Sequence, residues 1–171
     1  MIKQDLLDFS FDELQNFCRD NNIPKFRASQ IWNWMYCFGL KSFENMNNVS
    51  KISREFFNNI SYISRPEISE MQKSKDGTIK WLIKLSDNSE VETVYIPQDD
   101  RGTVCISSQV GCTLNCSFCH TGTQKLVRNL TSGEIVGQIL IARDDLGEWK
   151  NLSGTNNETR LLSNVVLMGM G

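Results

Sequence analysis

The sequence predicts an α+β to α/β chain in three parts: a small helical accessory domain over residues 1–61, a β-meander over 62–100, and a strand–helix–strand unit over 101–171. Three observations carry this. Up to Ile60 apolar residues recur every three or four positions, and from Ile79 to Ile96 they alternate with polar ones. Beyond Arg101 two continuous apolar or β-branched runs, 103–108 and 164–169, flank a helical stretch, which is the order of a βαβ unit.

Each element has a local cause. Ser10-Phe-Asp-Glu13 is a capping box, in which a hydroxyl and a carboxylate satisfy each other's free amides, and Phe9 is placed to staple onto Leu14. Leu14, Phe17 and Cys18 then share a face. A second helix from about Phe26 aligns Ile31, Trp34, Met35 and Phe38, with Gly39 as a left-handed stop. A third, over 51–60, is expected to bury Ile52, Phe56 and Ile60. In the meander Ile79, Trp81, Ile83 and Leu85 face one way, and turns fall at Asp76-Gly77 and Asp87-Asn88. Val91, Thr93 and Tyr95 share one face of the next strand, Glu92, Val94 and Ile96 the other, and Pro97 is expected to end it. Thr131-Ser-Gly-Glu134 opens a helix reaching about Leu146, the polar stretch 147–163 reads as a surface loop, and 164–169 as a strand buried on both faces.

Net charge is -2, so the chain as a whole does not attract nucleic acid, and any RNA contact is expected from local patches such as Lys25/Arg27 or Lys125/Arg128, or from parts of the protein outside these residues. Taken singly, each patch reads equally well as a solvated face. The start lacks a charged segment followed by an apolar run, and no 18 apolar residues run together, which predicts a cytoplasmic protein without membrane attachment. In that reducing compartment clustered thiols bind metal or do chemistry more often than they form structural disulfides. Cys18 and Cys37 stand alone among apolar residues and read as small core side chains. Cys105, Cys112, Cys116 and Cys119 crowd together instead.

Cys112-x3-Cys116-x2-Cys119 offers three thiolates from one short loop after a strand, enough to hold a 4Fe-4S cluster and leave one iron open. An open iron can be chelated by the amino and carboxylate groups of S-adenosylmethionine, setting its sulfonium beside an electron donor. Phe118 is placed to shield such a cluster from water. The alternative is a non-catalytic iron–sulfur or zinc module, with His120 as a fourth zinc ligand. Adjacent Cys119 and His120 point poorly at one tetrahedral ion, and there is no second CxxC pair.

The C-x3-C-x-aromatic-C spacing resembles the signature of the radical SAM superfamily. Within it, Lys75-Asp-Gly-Thr-Ile-Lys80, Val91-Glu-Thr-Val-Tyr-Ile-Pro97, Cys105-Ile-Ser-Ser-Gln-Val-Gly-Cys112, Arg128-Asn-Leu130, Glu134-Ile-Val-Gly-Gln138 and Val166-Leu-Met-Gly-Met-Gly171 resemble the RlmN family of dual-specificity RNA methyltransferases, which methylate adenosine at C2. The resemblance implies that the last part opens a radical SAM (β/α)6 partial barrel, with S-adenosylmethionine and a 4Fe-4S cluster as cofactors. It implies 23S rRNA and tRNA as partners, with an electron donor such as flavodoxin. In that family a cysteine is first methylated, the methyl group is activated by a radical and added to C2, and a second cysteine releases the RNA by forming a disulfide. By the same resemblance Cys112, Cys116 and Cys119 are the cluster ligands, Cys105 the resolving cysteine, Glu92 the proton acceptor, and Gly171 the first residue of a Gly-Glu pair at S-adenosylmethionine.

A six-unit barrel takes roughly 200 residues, scaled from about 250 for eight units, so the resemblance leads one to expect a chain truncated after its second barrel strand. The methyl-carrying cysteine is then expected beyond Gly171; Cys18 and Cys37 do not match it. Alone, these residues are expected to bind a cluster without methylating RNA.

Overall fold

The computed structural model of the protein describes residues 3–99, 101–114, 116, 119, 123–150 and 161–171. They fall into two compact units, Met1–Arg65 with Trp149–Asn157, and Pro66–Glu148 with Glu158–Gly171.

In the first unit a short strand β1 (Gln4–Asp5) precedes three helices, α1 (Phe11–Asp20), α2 (Phe26–Tyr36) and α3 (Lys51–Ile60), and pairs in parallel with β2 (Ser61–Tyr62). The capping box of α1 is formed: Ser10 Oγ accepts the Glu13 amide at 3.3 Å, and Glu13 Oε2 accepts the Ser10 amide at 2.7 Å. Phe9 packs its ring 5.4 Å from Phe17. Leu14 and Cys18 are buried in α1, and Ala28, Ile31, Trp34 and Met35 in α2. Gly39 has φ +67, and a Cβ there would fall 2.3 Å from the Trp149 ring, so both backbone and space demand glycine. The expected inward face of α3 is corrected. Ile52 is 80% exposed and Phe56 40%, whereas Phe57 is fully buried. The reason is the connection before α3, which buries Phe43, Met46 and Val49 and stacks Phe43 on Phe57 at 5.6 Å. Ile52 and Phe56 therefore turn outward, while Ile60 is half-buried.

The second unit is built on β3 (Glu67–Lys73), β4 (Ile79–Lys84), β5 (Glu90–Gln98), β6 (Arg101–Cys105), the short β7 (Gln109–Val110) and β8 (Arg128–Asn129), helix α4 (Ser132–Leu146) and β9 (Asn164–Val166). One sheet runs β3-β4-β5-β6-β9, so segments 62–100 and 101–171 share it. Neighbours are antiparallel except β6 and β9, which are parallel with α4 between them in sequence. Ile79, Trp81, Ile83, Leu85, Val91, Tyr95, Val104 and Ile106 line one face and form a core with Ile141 and Ala142 of α4. At about 25 cal/mol per Å² of apolar surface, this shared face is the main stabilising term of the unit.

Two strand expectations are corrected. Pro97 lies inside β5, opposite Gly102. Pairing with β4 stops at Tyr95, so the ring and its missing N–H face no partner strand on that side. The 164–169 run is not buried on both faces: Val165 is 45% exposed and Leu167 62%. β9 is the outer strand of the sheet and pairs only with β6 among the described residues, which leaves its other edge and one face uncovered.

Candidate active site

The cysteine loop is the tip of a small hairpin that periodicity did not reveal. Gln109 pairs with Asn129 and Val110 with Arg128, and a single bridge then joins Cys112 to Lys125. Gly111 between them has φ +77, and a Cβ would fall 2.1 Å from the Lys125 carbonyl oxygen. Two-residue strands carry no readable alternation, and this glycine was their one sequence signal.

Cys112 and Cys116 are half-buried and Cys119 is exposed. The Cys119 amide donates to the Cys116 carbonyl at 3.1 Å, and the Leu114 amide donates to Cys112 Sγ at 3.3 Å. Among the described residues no three His, Cys, Asp or Glu side chains converge at ligand distance, so the thiols share a loop without meeting at one point. Their chemistry suits a cluster nonetheless: three soft sulfur donors, one already accepting an amide hydrogen bond of the kind that tunes cluster sulfurs. Phe118 and His120 lie outside the described residues.

The loop follows the carboxyl end of β6, and residues 169–171 follow the carboxyl end of β9 beside it. The amides of Ser108 and Gln109 both donate to the Met170 carbonyl, at 2.9 and 3.1 Å. A Cβ on Gly169 would sit 2.6 Å from Ser107 Oγ, and one on Gly171, at φ +119, 2.5 Å from Ser108 Oγ. Close backbone approach at the carboxyl ends of adjacent parallel strands is where ligands bind in open α/β sheets. Gly171 thus stands next to the root of the cysteine loop.

Cys105 and Glu92 share the face of the sheet opposite the core. Cys105 pairs with Val94 on β5 and Val166 on β9. Glu92 is two residues from Val94 on β5, a diagonal relation that sets such residues roughly 7 Å apart. Burial pushes the Cys105 thiol up, partly offset by the Met168 amide that donates to it. Glu92 Oε1 pairs with Lys80 Nζ at 3.1 Å, both side chains about half exposed. Burial also pushes the Cys18 thiol up, to about 11, as suits an inert core residue. None of the six cysteines is in a disulfide.

Beneath this face lies a buried polar hub that sequence reasoning treated only as part of a motif. Gln138 is fully buried on α4. Its Oε1 accepts Thr93 Oγ1 and the Ser107 amide, both at 2.8 Å, while Nε2 donates to the carbonyls of Ser107 and Glu134 at 2.9 and 3.2 Å. Ser107 Oγ in turn donates to the Glu92 carbonyl at 2.7 Å and accepts the Met170 amide at 2.9 Å. One glutamine thus ties the Glu92 strand to the 169–171 segment. A polar residue on the inward side of an apolar helix was the available signal.

The arginine of each basic patch is held by neighbours within the protein. Arg128 is engaged by Asp87 and Glu134 rather than presented to solvent. Arg27 donates to Gln30 and to the Asn48 carbonyl and lies over the Phe26 ring. Lys25 and Lys125 stay exposed, so each patch keeps one solvent-facing cation beside an arginine engaged within the protein.

With this topology the chain is similar to a solved radical SAM methyltransferase. The crystal structure of a radical SAM methyltransferase from Sphaerobacter thermophilus matches 98% of the chain with a TM-score of 0.84 and 36% identity, and the match covers 47% of that protein. More particularly, the chain belongs to the RlmN family. Residues 4–63 match the ribosomal RNA large subunit methyltransferase N-terminal domain. The dual-specificity RNA methyltransferase RlmN of Paracoccus denitrificans is 60% identical over 86% of this chain, and that of Ruegeria sp. strain TM1040 is 52% identical over 99%. The chain spans 38% and 44% of these two relatives, less than half of each.

Proposed function

We propose that this chain forms the cluster-binding and RNA-releasing part of an enzyme that methylates C2 of adenosine in 23S rRNA and tRNA, its residues from 101 onward being the start of a radical SAM partial barrel. The observation that carries the reading is the placement of Cys105 and Glu92 on one sheet face, with the cysteine loop and Gly171 at its end. Cys112, Cys116 and Cys119 would hold a 4Fe-4S cluster, and seating it must draw the three thiols together. When bound with S-adenosylmethionine, the cluster supplies one electron, from a donor such as flavodoxin, for radical formation.

The chain's own residues act before and after that chemistry. Gly171, packed against Ser108 and Gln109, would contact S-adenosylmethionine through its backbone. Glu92 accepts the C2 proton, with Lys80 holding its carboxylate. Cys105 loses its proton and attacks the sulfur of the methyl-carrying cysteine; an S–S bond forms as the S–C bond to the RNA adduct breaks, the released carbon takes up a proton to become the C2 methyl group, and a two-electron reductant restores both thiols. No helix among the described residues is long and apolar enough to cross a membrane, in keeping with action on RNA in the cytoplasm.

The test is product analysis. An enzyme of full RlmN length carrying this segment, supplied with methyl-labelled S-adenosylmethionine, yields 2-methyladenosine in digests of both 23S rRNA and tRNA. Label on N6 or on ribose, or none with the cluster loaded, contradicts the proposal. The 171 residues alone yield no methylated RNA.

A further inference from the structure

Arg128 occupies β8, on the strand that closes the hairpin under the cysteine loop. Its guanidinium grips Glu134 with two parallel bonds, Nη1 to Oε2 at 2.7 Å and Nη2 to Oε1 at 2.8 Å, and its Nε donates to Asp87 Oδ2 at 2.8 Å. Nη1 also reaches the Asn129 carbonyl at 3.1 Å. Both carboxylates are anchored on their own elements. Asp87 Oδ1 accepts the Ser89 amide in the β4–β5 turn at 2.9 Å, and Glu134 Oε2 accepts the Thr131 amide in the capping box of α4 at 2.9 Å.

The β4–β5 turn, 41 residues away in sequence, is thus joined to β8 and the nearby start of α4 at one side chain. An exposed single ion pair contributes little, but a bidentate guanidinium shared between two anchored carboxylates, one of them 15% exposed, is the arrangement in which charge does fix geometry. The two carboxylates push the guanidinium toward stronger basicity, and Arg128 holds Asp87 well below the usual carboxylate range.

We infer that Arg128, with Asp87 and Glu134, is a positioning clamp that fixes the root of the cysteine loop to the β4–β5 turn and the start of α4, and thereby sets how firmly the loop retains its metal cluster. This rests on the reading that Cys112, Cys116 and Cys119 hold a 4Fe-4S cluster. Residues behind the ligands of a metal site commonly change its affinity by about 10- to 100-fold when lost.

The experiment measures the rate at which iron leaves the anaerobically reconstituted protein for a ferrous chelator, in wild type, Arg128→Leu, Arg128→Lys and Asp87→Asn, each checked for folding by circular dichroism. Arg128→Leu is expected to release iron on the order of ten-fold faster, with Arg128→Lys between it and wild type because lysine keeps the charge without the fork. Should Arg128→Leu fail to fold, Asp87→Asn decides: it keeps the Glu134 pair and removes one arm, and still releases iron several-fold faster, by about three-fold or more. Folded variants that lose iron at the wild-type rate overturn the clamp alone. A wild-type protein that takes up no cluster overturns the cluster reading and the clamp with it.

Discussion

An enzyme of full RlmN length carrying Cys105→Ala stops with its RNA covalently attached. Cys105 sits on the open face of the sheet, diagonal to Glu92 and one strand from the segment that ends in Gly171. On the proposed mechanism, once the activated methyl group joins C2 of the adenine, the base and the carrier cysteine share a carbon bridge. Only attack on the carrier sulfur breaks it, and alanine has no nucleophile. Multiple turnover should fall by about a thousand-fold or more, as when one member of a catalytic unit is removed. Denaturing gels with labelled RNA should show a band that survives boiling and shifts with protease. A Cys105→Ala enzyme that turns over normally would show that release does not use this thiol.

The second large effect is on stability, in Gln138→Leu. Leucine fits the volume, but it leaves the Thr93 hydroxyl and the amide and carbonyl of Ser107 buried without the partners that Gln138 gives them. At about 1–3 kcal/mol for each stranded group, partly recovered by relaxation, the loss is on the order of 3–6 kcal/mol. That is a large share of the roughly 5–15 kcal/mol that holds a domain together. The melting temperature of the variant should drop by about 10 °C or more, or the protein should fail to fold. A melting point for Gln138→Leu within a degree or two of wild type would mean the hub is not structural.

How much was legible in the sequence follows from how local each cause is. Both capping boxes and the alternation of Ile79, Trp81, Ile83 and Leu85 depend on residues within one turn or one strand, and all are formed as read. α3 was misjudged because the partner that selects Phe57 over Phe56 is Phe43, in a connection with no periodicity of its own. Pro97 and the 164–169 run were misjudged because their exposure depends on which strand lies alongside, a property of the sheet. Of the candidate site, the three cysteines were visible as spacing and Cys105 and Glu92 as a family likeness. That these two share a face required the β5–β6 register. Arg128 looked basic and free in sequence. Its carboxylates, Asp87 in a turn and Glu134 in a cap, already had local explanations that hid the third.

Anaerobic reconstitution of the protein, followed by iron and sulfide analysis and electron paramagnetic resonance with and without S-adenosylmethionine, reads out whether this loop holds a radical SAM cluster. Four irons and four sulfides per chain are expected, as for one 4Fe-4S cluster, with a reduced spectrum that changes on adding S-adenosylmethionine and a cluster that is lost in Cys112→Ala, Cys116→Ala and Cys119→Ala. A zinc-only protein, or a full cluster retained in Cys116→Ala, would contradict it.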